Sequence, residues 1–231
     1  MQPIVVVTWN LQGRDPSAIG LHDIVADRRP SILFLQEADP YRLAADAAIA
    51  AHLPHRLLRA DVGHRPGMGI LSALRIASSG VLDAPGALDR PRAMWAALEL
   101  PGGGRLVAVS VHATAPDSLL PPPYNPLRRN RQLAAIRAFA HELLATGERL
   151  VIAGDFNTVR YRIEGMVDAA EATGGERPTW RGVAWRRIPP FLRLDRIFVG
   201  PGMAVRDAGV EVEYAGSDHC PVWATVDVRQ A

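Results

Sequence analysis

A juxtaposition recurs along the chain: an apolar, strand-like run ends in an acid, an amide or an imidazole. IVVVTWN ends at Asn10, SILFLQE at Glu37, RLVAVSVH at His112, and RLVIAGDFN at Asp155 and Asn157. LRLD places Asp195 at the entry to another such run, and GSDH places Asp218 and His219 just before VWATVDV. Each case alone has a plain explanation, because strand ends are where polar groups emerge into turns. Together they make an oxygen-rich set with imidazoles and no thiolate, the donor chemistry that magnesium or manganese takes in preference to zinc. Such a cation polarises a phosphoryl oxygen and offsets charge that develops on the leaving oxygen. A spare carboxylate orients or deprotonates water, and a histidine held by an acid donates a hydrogen bond or proton to the phosphate. These residues predict a metal-dependent hydrolase of phosphoric esters.

Such a site needs elements that carry strand ends to one place. Strand-like runs cover 4–9, 31–36, 69–74, 93–100, 105–113, 149–154, 194–200, 210–215 and 222–228. Several are continuously apolar, as strands covered on both faces are. Asp15-Pro16 and Asp39-Pro40 read as helix N-caps followed by a first-turn proline, and PYRLAADAAIAAHL after the second carries the helical period. Asn125-Pro126 repeats the signal before LRRNRQLAAIRAFAHELLATG, a helix that Gly147 ends. Strands outnumber helices by roughly two to one, too many for one doubly wound sheet. The expected class is α/β, with two packed sheets flanked by helices.

Composition sets the outer bounds. The chain has 231 residues, 48% apolar and 22% charged, the balance of a soluble globular protein with a sizeable core. No low-complexity linker divides it, so one domain over 1–231 is expected. The start, MQPIVVVTWN, has no basic leader region, and no run approaches the roughly 18 apolar residues that span a bilayer. That segment reads as a strand of a cytoplasmic protein. A single cysteine, Cys220, excludes an internal disulfide and a cysteine-based zinc site, and reads as a small buried residue. Every basic residue other than histidine is arginine, and the net charge is +2. Arginine suits bidentate contact with phosphate, but a preference spread evenly over the chain assigns no function.

The ordered set TWN, LQE, VHA, GDFN, LDRIFV and SDH resembles the endonuclease/exonuclease/phosphatase superfamily, and the likeness runs from about residue 4 to 228. GMGILS (67–72) is similar to a further family segment. The resemblance implies a four-layer α/β/β/α sandwich with two packed mixed β-sheets. It implies that Glu37 is the principal magnesium ligand, with manganese as a substitute, and that Asn10 and Asp218 lie close to the ion. Asp155 would orient or activate the attacking water, with Asn157 positioning that water and the phosphate. Asp195 would pair with His219 and hold its tautomer. His112 would be the second imidazole at the scissile phosphate, as in deoxyribonuclease I. Asp218 and His219 would point in alternate directions from an extended segment, one to metal and one to phosphate. Three departures point away from the abasic-site endonucleases of the superfamily: Gln12 in place of their Asp, His112 in place of their Tyr, and Leu192 in place of an aromatic residue.

The segment PTWRGVAWRRIPPFLRLDRIFV (178–199) bears on the substrate. Trp180, Trp185 and Phe191 interleave with Arg181, Arg186, Arg187 and Arg193. Trp180, Arg187 and Arg193 could grip and stack nucleic acid, could face phospholipid headgroups at a membrane, or could simply cover the edge of the sandwich. The proline-rich ATAPDSLLPPPYNP after His112 is either a stiff cleft wall or a plain connection, and Arg128, Arg129 and Arg131 read as a solvated helix face. A net charge of +2 is modest for a protein gripping long duplex DNA. The expected partner is a phosphate-ester substrate, nucleic acid or phospholipid, with no obligate protein partner. A competing class keeps the fold as a non-catalytic phosphate- or nucleic-acid-binding module.

Overall fold

Twelve strands pair into two six-stranded sheets in the computed structural model, which describes residues 3–16, 20–60, 66–82, 93–115, 124–181, 192–214 and 216–229. The first sheet runs β11 (Met203–Val210), β12 (Val222–Val228), β1 (Ile4–Asn10), β2 (Ile32–Ala38), β4 (Gly67–Ser72), β3 (His55–Arg59). The second runs β5 (Ile76–Leu82), β6 (Ala93–Glu99), β7 (Arg105–His112), β8 (Arg149–Asp155), β10 (Asp195–Val199), β9 (Val167–Asp168). β1 and β2 are parallel, as are β7 and β8, and the other neighbours are antiparallel.

The continuous apolar runs follow from two-sided burial. In β2, Ile32 and Phe34 face the opposing sheet with Met94, Ala96 and Ala153, while Leu33 and Leu35 face outward. There they pack on α1 (Leu21–Arg28), α2 (Pro40–Ala45) and α3 (Ala47–His52) through Leu21, Ile24, Leu43 and Ile49. The second sheet covers its outer face, through Val109, Ile152 and Phe198, with Leu133, Ile136 and Ala140 of α4 (Tyr124–Ala145). α5 (Ala169–Thr173) follows β9 directly. The layers are therefore α/β/β/α, as the resemblance implies.

Several local expectations change. The 40–53 helix breaks in two at Asp46, whose carboxylate accepts from the Ile49 amide at 2.9 Å and lies 2.7 Å from His22 Nε2. Asp39 does cap α2, accepting from the Tyr41 and Arg42 amides; the residues that would follow the expected Asp15-Pro16 cap, 17–19, lie outside the described residues, and α1 begins after Gly20 at φ 80°. The strand expected at 210–215 lies instead at Met203–Val210, because the ladder with β12 runs out at Pro221, which has no amide hydrogen to give. Edge strands β3 and β5 escape a pattern reading, since half-exposed edges lack a clean alternation. Gly147, at φ 77°, ends α4 as expected, with its amide on the Leu144 carbonyl at 3.0 Å.

Behind β8 and β10, Phe156, Tyr161 and Phe198 form a ring cluster with centroids 4.9–5.8 Å apart. The Tyr161 hydroxyl donates to the Leu133 carbonyl at 2.9 Å, and burial pushes its phenol up to about 12 even with Arg137 pulling the other way. The neutral form is therefore favoured by folding. Its contribution is whole below the unfolded value near 10 and is lost as pH rises toward 12, by about 3 kcal/mol for two units of displacement. Urea titrations between pH 9 and 12 should show this slope, and Tyr161→Phe should flatten it by about one proton; an unchanged slope would refute the assignment.

Candidate active site

Strand direction explains why one end of the sandwich is polar. β1, β2, β7 and β8 all deliver their C-terminal ends there, which brings Asn10, Glu37, His112 and Asp155 together. β10 enters antiparallel to β8, so Asp195 sits opposite Asp155, and His112 sits opposite Asp155 on the other side. β12 is antiparallel to β1, so the Ser217–His219 approach also arrives at this end.

Backbone irregularities then aim the side chains. In β2 the alternation that turns Phe34 and Gln36 inward would turn Glu37 toward the helices. A register shift between Gln36 and Ala38, with Glu37 at φ 48°, redirects it. Asn157 sits at φ 51° and Gln12 at φ 52°, so three of the four non-glycine residues with positive φ among those described lie at this end. Gly154 in GDFN is required by a close approach: at φ 143°, a Cβ there would lie 2.0 Å from the Val111 carbonyl oxygen.

Three donors converge on the Asp155 carboxylate. The Asn157 amide reaches Oδ1 at 2.8 Å, while Asn157 Nδ2 and Asn10 Nδ2 reach Oδ2 at 3.0 and 3.1 Å. Asn157 Nδ2 also donates to the Ala113 carbonyl at 2.9 Å, and Asn10 Nδ2 reaches Glu37 Oε1 at 3.2 Å. His219 Nδ1 lies 2.8 Å from Asp195 Oδ2, and its Nε2 lies 3.7 Å from Asp155 Oδ2. Burial opposes a charge on His219, yet Asp195 and Asp155 outweigh it and hold the imidazole up at about 10. The two acids thus favour the charged form of His219, whose Nδ1 lies within hydrogen-bond distance of Asp195 Oδ2. Burial also pushes the Asp155 carboxyl up; the His219 charge pulls it back, and Asp195 adds to the rise.

The remaining expected residues are placed unevenly. His112 Nε2 is 3.5 Å from Glu37 Oε1, so the second imidazole joins the cluster. Asp218 and His219 do not diverge: Asp218 Oδ1 lies 4.0 Å from His219 Nε2, because the chain bends before β12 begins. Ser217 holds that bend, donating to the Asn10 carbonyl at 2.6 Å and accepting from the His219 amide at 3.1 Å. Trp180 is half-buried beside the site, with Nε1 donating to Asp218 Oδ2 at 3.1 Å. Arg193 is not a free cation at a substrate rim. It is only 12% exposed and is tied to Asp168 and, at 2.9 Å, to Glu176, since it lies on the flank where α5 packs. Arg187 lies outside the described residues, as do Trp185, Arg186 and Phe191.

Some supporting residues were not singled out from sequence. Gln36, fully buried, joins the sheets under the site: it exchanges hydrogen bonds with Thr8 at 3.2–3.3 Å and reaches Ser110 Oγ at 3.3 Å. Thr179 Oγ1 accepts from the Leu194 and Asp195 amides at 3.0 Å each and so fixes where Asp195 enters β10. Trp9 Nε1 donates to the His219 carbonyl at 2.9 Å. The signal for Gln36 was its inward parity with Ile32 and Phe34; a polar residue at a core position asks for a partner.

Residues 7–219 match the family model described as the Endonuclease/Exonuclease/phosphatase family. The chain belongs to that family. No curated protein sequence matches it. Among solved structures, an endonuclease/exonuclease/phosphatase from Beutenbergia cavernae DSM 12333 superposes with a TM-score of 0.78 at 18% identity, covering 100% of this chain and 73% of the other. The 3' phosphatase NExo from Neisseria, bound to a product DNA hairpin, gives 0.75 at 22% identity, covering 97% and 99%. D. rerio TDP2, complexed with a single-strand DNA product, gives 0.78 at 18% identity, covering 99% and 100%. At these identities the structures establish the shared fold, and the family itself is one of phosphoester hydrolases.

The donor set of this endonuclease/exonuclease/phosphatase domain suits a divalent cation. Glu37, Asp155, Asp195 and Asp218 bring four carboxyl groups together with the imidazoles of His112 and His219, an oxygen-rich donor set of the kind that hard divalent cations take. Two carboxylate oxygens, Asp218 Oδ1 and Asp195 Oδ1, are buried without a hydrogen-bond partner. Asp155, Asp195 and His219 have donor atoms within 4.8 Å of one another and could themselves hold an ion. The His219 Nδ1 contact with Asp195 already occupies that trio with a proton, which leaves Glu37, with its side chain 38% exposed, as the better-presented ligand.

Proposed function

We propose that this protein is a divalent-metal-dependent phosphodiesterase acting on nucleic-acid strands. One observation carries the reading: acids, amides and imidazoles from separate segments of both sheets converge at one end, with Asp155 held by three donors and His219 held against Asp195. Asp155 accepts a proton from the attacking water as the new P–O bond forms, and the opposite P–O bond breaks with its electron pair going to the leaving oxygen. Asn157 and Asn10 fix the Asp155 carboxylate. His219 places positive charge toward the phosphoryl oxygens, and Asp195 keeps its ring orientation. His112 lies where it can donate to the phosphate or the departing oxygen. A magnesium ion held by Glu37, with Asn10 and Asp218 close to it, or manganese in its place, would supply Lewis-acid charge at the phosphoryl oxygen.

Nucleic acid is preferred to phospholipid because NExo and TDP2, which share the fold, were each solved with a DNA product. The test is hydrolysis of bis-p-nitrophenyl phosphate, p-nitrophenyl phosphate and a single-stranded oligonucleotide, each with magnesium, manganese or EDTA. Metal-dependent turnover of the diester and the oligonucleotide is expected. Turnover of the monoester alone would make the enzyme a phosphatase, and binding of the oligonucleotide with no turnover of any substrate would make it a binding module.

A further inference from the structure

Asp195 and Arg196 are consecutive in β10, so their side chains leave opposite faces of the sheet. Asp195 points to the catalytic cluster; Arg196 points to the outer flank, where the chain that has just made the Asp155–Asn157 turn passes through Arg160, Tyr161 and Arg162. Those residues, with Arg137 of α4 and Glu171 of α5, line a pocket of about 470 Å³.

Four arginines and one glutamate line it, and that single carboxylate is already divided: Glu171 lies 3.4 Å from Arg162, 3.6 Å from Arg193 and 3.5 Å from Arg196. Arg196 is 4% exposed, reaching Asp168 at 2.8 Å and the Val159 carbonyl at 2.6 Å, and its Nε is buried without a hydrogen-bond partner. Arg137 lies 4.9 Å over the Tyr161 ring, which the Leu133 carbonyl locks in place, so this guanidinium is held before any ligand arrives. Arg160 is exposed at the mouth and has no carboxylate partner among the described residues. A concave surface with excess guanidinium charge, two of its four guanidinium groups held in place by Tyr161, Asp168 and the Val159 carbonyl, suits an oxyanion that takes forked hydrogen bonds.

We infer that this pocket binds a phosphate group of the substrate strand a short way from the scissile one, an inference that rests on the proposed action on nucleic-acid strands. The pocket makes the enzyme prefer strands over isolated diesters, because a small diester has no second phosphate to place there.

The test is binding without catalysis. In EDTA, affinities for inorganic pyrophosphate and for a short single-stranded oligonucleotide are measured across salt concentrations, for the parent and for Arg137→Ala/Arg160→Ala/Arg162→Ala. The triple variant should bind the oligonucleotide at least about tenfold more weakly, and its log–log salt slope should fall by about two for three lost contacts. A Lys triple variant should keep most of the slope while losing affinity, since it keeps charge without the fork. Should the alanine triple fail to fold, Arg160→Glu at its exposed position must weaken both ligands. Parental affinity and slope in a folded alanine variant would overturn the inference. Absence of turnover by the parent is a different failure: it sinks the hydrolase reading and leaves pyrophosphate binding at the pocket measurable by itself.

Discussion

Asp155→Asn should lower metal-dependent diester hydrolysis by about 10²–10⁴-fold, the usual contribution of a positioned general base. The substitution keeps shape and removes both charge and basicity. Its structural cost is confined because two of the three donors, Asn157 Nδ2 and Asn10 Nδ2, meet the same oxygen, Oδ2. An amide can turn its oxygen to that pair and leave its NH₂ facing only the Asn157 main-chain amide, a single donor–donor conflict worth about 1–3 kcal/mol. Part of that is offset, since burial already disfavours the Asp155 charge. The variant should therefore fold, by circular dichroism and thermal melting, while turnover collapses. Turnover within about threefold of the parent would remove Asp155 from the role of base and leave positioning and electrostatics to carry the rate.

The convergence behind that prediction was readable as polar residues recurring at strand ends, and the structure supplies its reason in strand direction. A parallel pair must present both C-terminal ends on one side, and IVVVTWN with SILFLQE, then RLVAVSVH with RLVIAGDFN, each place their polar residues there. Two packed sheets flanked by helices were readable too, from the excess of strands over helices, while the four-layer order came with the family resemblance. What sequence periodicity could not express were departures from it. Glu37 reaches the site through an irregularity that reverses its facing, and Asp218 lies beside His219 because Ser217 clamps a bend. Arg193 was misplaced for a related reason: its partners Asp168 and Glu176 come from a short strand–helix unit that carries little signal of its own. Gln36 and Thr179 act by orienting backbone and neighbouring sheets, a role that belongs to contacts distant in sequence.

Glu37→Gln should raise the magnesium concentration for half-maximal activity by about 100-fold or more, since losing even an outer contact to a bound metal commonly costs 10–100-fold. Glutamine can still accept from Asn10 Nδ2, so the neighbouring geometry survives and only the charge at the mouth of the site is gone. The distinguishing companion is Glu37→Gly. A non-glycine residue in the left-handed region costs roughly 1–2 kcal/mol, a strain that glycine relieves at some expense in chain entropy. With the side chain 38% exposed and few packing contacts to lose, Glu37→Gly should be inactive yet melt no lower than the parent. Isothermal titration with manganese would show whether the lost activity is lost metal. If Glu37→Gln keeps the parental metal dependence, the ion is held elsewhere, with the Asp155, Asp195 and His219 trio the next place to look. If Glu37→Gly melts well below the parent, the irregularity in β2 is a structural requirement of the sheet, and the strained backbone is not there to aim a ligand.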